Sequence, residues 1–159
     1  MAKGKKKKVA PGDVASNRYA SFKYDLREKI ECGIVLEGTE VKALRNGGCQ
    51  LKEGYALIRD DEVYLVSIHI PPYAPASRNN HDPERDRKLL LNRRQIDKLK
   101  AQTKEKGLTL VPTRMYFSGG RAKVEIALAK GKDRYDKREA IKDREMKRDL
   151  SRALSDANR

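Results

Sequence analysis

Alternation of apolar and polar positions dominates the middle of the chain and predicts strands more often than helices. Between residues 121 and 130, Val124, Ile126 and Leu128 alternate with Lys123, Glu125 and Ala127, so one face is buried and the other wet. Leu108–Phe117 precedes this run, and Ser118-Gly119-Gly120 between them is a hairpin signal. Tyr55–Arg59 and Val63–Ile70 form a second pair of β-rich runs, joined at Asp60-Asp61-Glu62, and Pro71-Pro72 stops the later one. Lys29–Leu36 reads as a further strand that ends at Glu37-Gly38. Thr39 can cap a short helix through Leu44-Arg45, which Asn46-Gly47-Gly48 terminates. Asn92 and Gln95 fit a capping box opening a helix whose Ile96 and Leu99 face inward, with Gly107 as its stop. Short strands, one or two intervening helices and no βαβ alternation predict a small antiparallel β-barrel with helices packed on it.

The two ends lack this pattern. Residues 1–17 are expected to be a disordered basic arm, because Lys3-Gly4-Lys5-Lys6-Lys7-Lys8 has nothing to bury and repels itself. Residues 18–130 form the expected barrel. Residues 131–159 carry large apolar side chains only at Tyr135, Ile141, Met146, Leu150 and Leu154. The spacing of four from Met146 onward makes a thin helical stripe, too little to offset the ordering entropy, so this tail is expected to be disordered when free.

Composition narrows the function classes. The net charge is +14, with 37 Lys and Arg against 23 Asp and Glu over 159 residues. A small basic chain points first to a polyanion partner, RNA or DNA. No apolar run approaches the roughly 20 residues of a spanning helix, so no membrane role is expected. Met1–Lys8 is followed by Val9-Ala10-Pro11-Gly12-Asp13 rather than by the apolar stretch of about 7–15 residues that a signal peptide needs. A cytoplasmic location with Cys32 and Cys49 as free thiols is the expectation.

Catalytic chemistry is thinly represented. Cys32 and Cys49 stand far apart with no CxxC, and the two histidines are too few for most metal arrangements, so neither metal nor cofactor is expected. His81, Asp82 and Glu84 are the best acid/base set, but Asp82-Pro83 opens a turn and the carboxylates balance Arg78, Arg85, Arg87 and Lys88. No enzyme activity is expected. The segment Arg78–Arg94 gathers six cations, adding Arg93 and Arg94 to those four, and suits a phosphate backbone. Glu31 within an apolar strand pattern has two readings, an outward residue paired with a lysine or a reader of base N–H donors. Asn92 likewise reads as an N-cap or as a base-edge contact.

Several strings resemble the SsrA-binding protein (small protein B) family. They are Glu31-Cys32-Gly33-Ile34-Val35-Leu36, Gly38-Thr39-Glu40-Val41-Lys42-Ala43-Leu44-Arg45, Asp82 through Arg94, and Gly131-Lys132 through Tyr135-Asp136-Lys137-Arg138-Glu139. They stand in the family's order and cover about residues 17 to 150. The resemblance implies an oligonucleotide-binding (OB) type barrel with about three helices. It implies binding to the tRNA-like domain of transfer-messenger RNA (tmRNA) and delivery of that RNA to stalled ribosomes. The C-terminal tail is then expected to enter the empty mRNA channel as a helix, at the small-subunit decoding centre.

Carried over by position, the resemblance assigns RNA contacts to Glu31, Leu90 and Asn92, with Arg87 and Lys88 on the backbone. It assigns ribosome contacts to Gly131, Lys132, Arg134, Tyr135, Asp136, Lys137 and Arg138, with Tyr135 stacking on decoding-centre bases. Asp133 departs from the family, which carries a second basic residue there. A monomer is expected. The alternative is a general single-strand binder on the same barrel, which would want several exposed aromatics on one sheet face.

Overall fold

The computed structural model describes residues 12–104 and 107–158. Strand β1 (Asp13–Ser16) leads into helix α1 (Arg18–Lys23) and the long strand β2 (Tyr24–Ile34). Helix α2 (Gly38–Gly47), the hairpin β3 (Tyr55–Arg59) and β4 (Glu62–Val66), and strand β5 (Arg87–Leu90) follow. Helix α3 (Arg93–Thr103), the hairpin β6 (Leu108–Ser118) and β7 (Arg121–Gly131), and helix α4 (Arg134–Ala157) complete the chain. The sheet order is β1-β6-β3-β4-β5-β2-β7, every pairing is antiparallel, and β7 also pairs with β6. The result is the expected OB-like barrel with helices, although the barrel is only partial. Its β3–β6 seam is one residue pair, Ala56 with Leu110, and its β2–β5 seam is two.

Local chemistry explains the hairpins. Asp60 and Asp61 have φ of 51° and 57°, and Gly119 and Gly120 have 57° and 75°. Two consecutive left-handed residues make the two-residue turn whose twist matches that of the flanking strands. Inward residues of the strands, among them Val63, Leu65, Leu89, Leu110, Met115, Val124 and Ile126, form the main core with Leu44 and Leu99 from α2 and α3. A small second cluster lies on the outer face, where Ala20 of α1 covers Val111, Ala127 and Ala129.

Four expectations need correction. The disordered arm cannot extend to residue 17, because Asp13–Ser16 pairs with β6 and Asn17 is buried. The Asn17 side chain donates to the carbonyls of Leu51 (3.2 Å) and Pro112 (2.9 Å), and its oxygen accepts from Ala20 N at the start of α1. It holds β6 where the strand is irregular, at a proline that has no N–H to give the ladder. Residues 1–11 lie outside the described part. The short helix is capped by Glu37 rather than Thr39, through a capping box with Glu40. Arg87–Leu90, to which the apolar pattern assigns no element, is a strand between β4 and β2.

The tail differs most from expectation. Rather than lacking structure, it is one continuous helix. Its sequence is rich in Lys, Arg, Glu, Ala, Leu and Met, which favour helix. Opposite charges recur at helical spacing, as in Asp143 and Lys147 or Asp149 and Arg152. The first half is also anchored: the Arg144 guanidinium lies 5.6 Å from the Phe22 ring centroid of α1. Among the described residues no helix is long and apolar enough to cross a membrane.

Candidate nucleic-acid interface

The strand register assembles an outer surface from five strands. One row runs Asp13–Tyr116–Lys123–Gly33–Leu90 across β1, β6, β7, β2 and β5. The adjacent row runs Ser16–Arg114–Glu125–Glu31. The chain leaves the ladder after Leu90, and Asn92, two residues on, is the N-cap of α3. Glu31 and Leu90, from distant parts of the sequence, therefore share one face, and Asn92 lies just past the end of β5. Leu90 is 53% exposed there. It covers Gly33 so closely that a Cβ on that glycine would stand 3.2 Å from the Leu90 Cβ.

Glu31 is exposed, and its partner is not the lysine expected of a bland strand residue. The Tyr116 hydroxyl donates to Glu31 Oε2. Burial, then the hydrogen bond and negative charge of Glu31, push the Tyr116 hydroxyl up to about 12. The Arg114 guanidinium stacks 4.5 Å from the Tyr116 ring centroid and bridges Glu125 and Asp13, each at 3.3 Å. Lys29 approaches the same Glu125 at 3.7 Å, and the Thr113 hydroxyl donates to it at 2.8 Å. Burial alone would raise the Glu125 carboxyl, but Thr113, Arg114 and Lys29 outweigh it and hold the group below its ordinary range. Tyr116, Arg114 and Lys123 were not singled out from the sequence. The Gly119-Gly120 turn does set Tyr116 opposite Lys123, but the reach of Tyr116 across β7 to Glu31 depends on the pairing of β7 with β2.

Asn92 opens α3 through a capping box, with Asn92 N donating to Gln95 Oε1 at 3.0 Å. Lys88 lies on the surface of β5, where Nζ meets Glu62 Oε1 at 2.7 Å. Its charge is therefore locally balanced. Arg94, Arg121 and Lys123 have no ion-pair partner among the described residues.

Arg87 is not on this surface. It is fully buried, and all five of its guanidinium N–H groups are used. Nε donates to Glu40 Oε1 at 2.7 Å, while the two terminal nitrogens reach the carbonyls of Ile68, Arg85, Asp82 and Pro83 at 2.8–3.4 Å. Glu40 is equally buried and also accepts from Arg85 Nη2 at 2.6 Å and from Glu37 N at 2.8 Å. Burial opposes ionisation of Glu40, but these donors overcome it and leave the carboxyl below its ordinary range. A guanidinium suits this role because its rigid fork can serve several acceptors at once. The expected contact of Arg87 with the RNA backbone is thus replaced by an internal clamp that shapes the loop before β5.

His81 belongs to the same structural assembly. Its Nε2 donates to the Ile70 carbonyl at 3.0 Å, and Nδ1 pairs with the Thr39 hydroxyl at 2.9 Å. Asp82 Oδ1 accepts from Glu84 N at 3.0 Å in a turn. Cys32 and Cys49 are free thiols, and burial pushes each up to about 12.

Of the tail residues, Gly131 ends β7 opposite Tyr24. Lys132 is tied to α1, with N donating to Lys23 O at 3.1 Å and Nζ to Ser21 O at 3.0 Å. Asp133 takes the N-cap position of α4 and Asp136 its first turn, where negative charge suits the helix dipole. That accounts for an acid at residue 133. Lys137 and Arg138 follow in the helix; the side chains of Arg134 and Tyr135 lie outside the described atoms. Farther along, Met146, Leu150 and Leu154 are 67%, 64% and 60% exposed.

Comparison with known proteins agrees with this architecture. The family model described as SmpB protein matches residues 14–156. The SsrA-binding protein of Sulfurihydrogenibium sp. (strain YO3AOP1) is 54% identical over 141 residues, covering 89% of this chain and 93% of the relative. That of Staphylococcus carnosus (strain TM300) is 47% identical over 152 residues, covering 96% and 97%. A chain from a solved structure described as "tmRNA-SmpB: a journey to the center of the bacterial ribosome" superposes with a TM-score of 0.65. It is 44% identical, and the match covers 80% of this chain and 93% of that one. With the matched segment running from β1 to the end of α4, the chain belongs to the SmpB family of SsrA-binding proteins.

Proposed function

We propose that this protein binds the tRNA-like domain of tmRNA through the outer face of β2, β5, β6 and β7 and delivers that RNA to stalled ribosomes. The observation that carries the reading is that Glu31 and Leu90 share one face of an SmpB fold, with Asn92 just past the end of β5. Base donors meet Glu31, apolar base surface meets Leu90, and the Asn92 amide meets a base edge. Arg94, Arg121, Lys123 and the partly balanced Lys88 hold the backbone. An unselective single-strand binder needs successive stacking rings. The two rows of this face offer one ring, Tyr116, and its hydroxyl is committed to Glu31.

The tail supplies the ribosomal half of the function. Gly131 and Lys132 fix its root against β2 and α1, and Arg134, Tyr135, Asp136, Lys137 and Arg138 form the first turns that face the decoding centre. The helix beyond them occupies the empty mRNA channel. The protein works in the cytoplasm as a binding protein rather than an enzyme, since both ring nitrogens of His81, the best acid/base candidate, serve the fold.

The test is a titration of the tRNA-like domain against excess ordinary tRNA at two salt concentrations. Binding that survives competition and weakens on Glu31→Ala supports the reading; binding that competitor removes, indifferent to Glu31, overturns it. Truncation should fall after Asp133 rather than Lys130, because Gly131 and Lys132 are bonded to α1 and β2. That truncation is expected to keep tmRNA binding and abolish ribosome rescue.

A further inference from the structure

Glu31 is an exposed carboxylate on a chain of net charge +14, yet among the described residues it bonds a tyrosine hydroxyl and no cation. Two nearby cations are engaged elsewhere: Arg114 meets Glu125 and Asp13, and Lys29 meets Glu125. Glu31 therefore has no ion-pair partner among the described residues. Its orientation is fixed by Tyr116, whose ring is itself held by the stacked Arg114. A carboxylate has about four lone-pair sites, so one bond from Tyr116 leaves both oxygens able to accept again.

We propose that Tyr116 and Glu31 act as one unit that reads an unpaired guanine of the bound RNA, with Tyr116 as the positioning residue. This deepens the RNA-binding reading of the same face and rests on it. Guanine presents N1–H and N2–H side by side, two donors matched to the two oxygens of a carboxylate. The amino groups of adenine and cytosine each sit beside a ring acceptor, and the uracil N3–H sits between two carbonyls. Either arrangement repels the second carboxylate oxygen. The neighbouring row completes the site. Leu90 offers apolar surface to the base, and Lys123, with no ion-pair partner among the described residues, lies between Tyr116 and Gly33 for a phosphate. Gly33 keeps Leu90 down on the sheet, since a Cβ there would press on the Leu90 side chain.

The test uses the full-length protein and the tRNA-like domain of tmRNA, with each unpaired guanine replaced in turn by inosine, which lacks the N2 amine. Wild-type protein should lose about tenfold in affinity at one position, the scale of a good bidentate base contact. Tyr116→Phe, which removes one hydroxyl, should bind the unmodified RNA several-fold more weakly and lose less at that same inosine. Glu31→Gln should show no preference between guanine and inosine there. Thermal melts of both variants confirm that they are folded. Equal inosine penalties in wild type and Tyr116→Phe, or no sensitive position, overturn the inference while tmRNA binding stands. Failure of the wild type to prefer the tRNA-like domain over ordinary tRNA overturns both.

Discussion

Arg87→Met removes a cation that lies inside the fold, so it should change stability and leave the electrostatics of RNA binding alone. The substitution keeps most of the side-chain volume and deletes five donors. The carbonyls of Ile68, Asp82, Arg85 and Pro83 lose their guanidinium contacts, and Glu40 retains only Arg85 and the Glu37 amide. Removing one partner of a buried pair costs about 3–5 kcal/mol. At 2–4 °C per kcal/mol for a domain of this size, Tm should fall by roughly 6–20 °C. Urea unfolding followed by circular dichroism measures the loss. The companion measurement is RNA affinity at four salt concentrations, at a temperature where the variant is folded. A phosphate contact contributes about 0.7–0.9 to the log–log salt slope, and loss of a buried arginine contributes nothing. Lys123→Ala is the control, expected to lower the slope and move stability by no more than about 0.5 kcal/mol. An unchanged urea midpoint together with a reduced slope for Arg87→Met would refute the internal role.

The remaining predictions test neighbouring parts of the same reasoning. Asn92→Ser should preserve the α3 cap and still lose tmRNA affinity, whereas Asn92→Ala should also lose about 1 kcal/mol of stability; equal affinity of Asn92→Ser and wild type would leave Asn92 as a cap alone. The Glu40 carboxyl is held below its ordinary range, so its stabilisation is full above about pH 4.3, the unfolded value, and disappears as pH falls through the lower folded value. Glu40→Gln should accordingly be less stable at pH 7 and lose stability less steeply in acid, as read from urea midpoints between pH 7 and 3. Gly54→Ala would press a Cβ into Ile68 Cγ2 and set it 3.1 Å from the Leu51 carbonyl oxygen, an overpacking worth about 1–3 kcal/mol in a melt.

Legibility of the fold followed the range of the forces involved. The β6–β7 hairpin and α3 were readable because Gly119-Gly120 and the pair Asn92 and Gln95 act within a few residues. Strand β5 was hidden because an arginine occupies an inward position, and its acceptors come from the loop before it, from Ile68 and from Glu40. Helix α1 was hidden because its six residues are held by Asn17 and by a small outer-face cluster rather than by periodicity. Thr39 looked like a cap, but its hydroxyl pairs with His81. For the candidate site, resemblance supplied Glu31, Leu90 and Asn92 as separate positions. Only the β2–β5 register explains why Glu31 and Leu90 belong together, and it joins strands separated by more than 50 residues of chain.

The same sorting of cations alters the expected salt dependence. Six positive side chains between Arg78 and Arg94 would together give a slope near 4–5 if each met a phosphate. The structure divides them. Arg85 and Arg87 serve Glu40, Lys88 is paired with Glu62, and Arg93 stands 3.6 Å from Asp61 and 3.3 Å from Asp97. Arg78 and Arg94 are exposed, with no ion-pair partner among the described residues. This segment should therefore contribute a slope of about 1.4–1.8, that of two contacts. Arg78→Ala with Arg94→Ala should remove it, while Lys88→Ala with Arg93→Ala should remove less, because each of those cations would first have to leave a carboxylate. Measured slopes in the opposite order would mean that RNA displaces the surface carboxylates, and that ion pairing in the free protein does not select which cations bind.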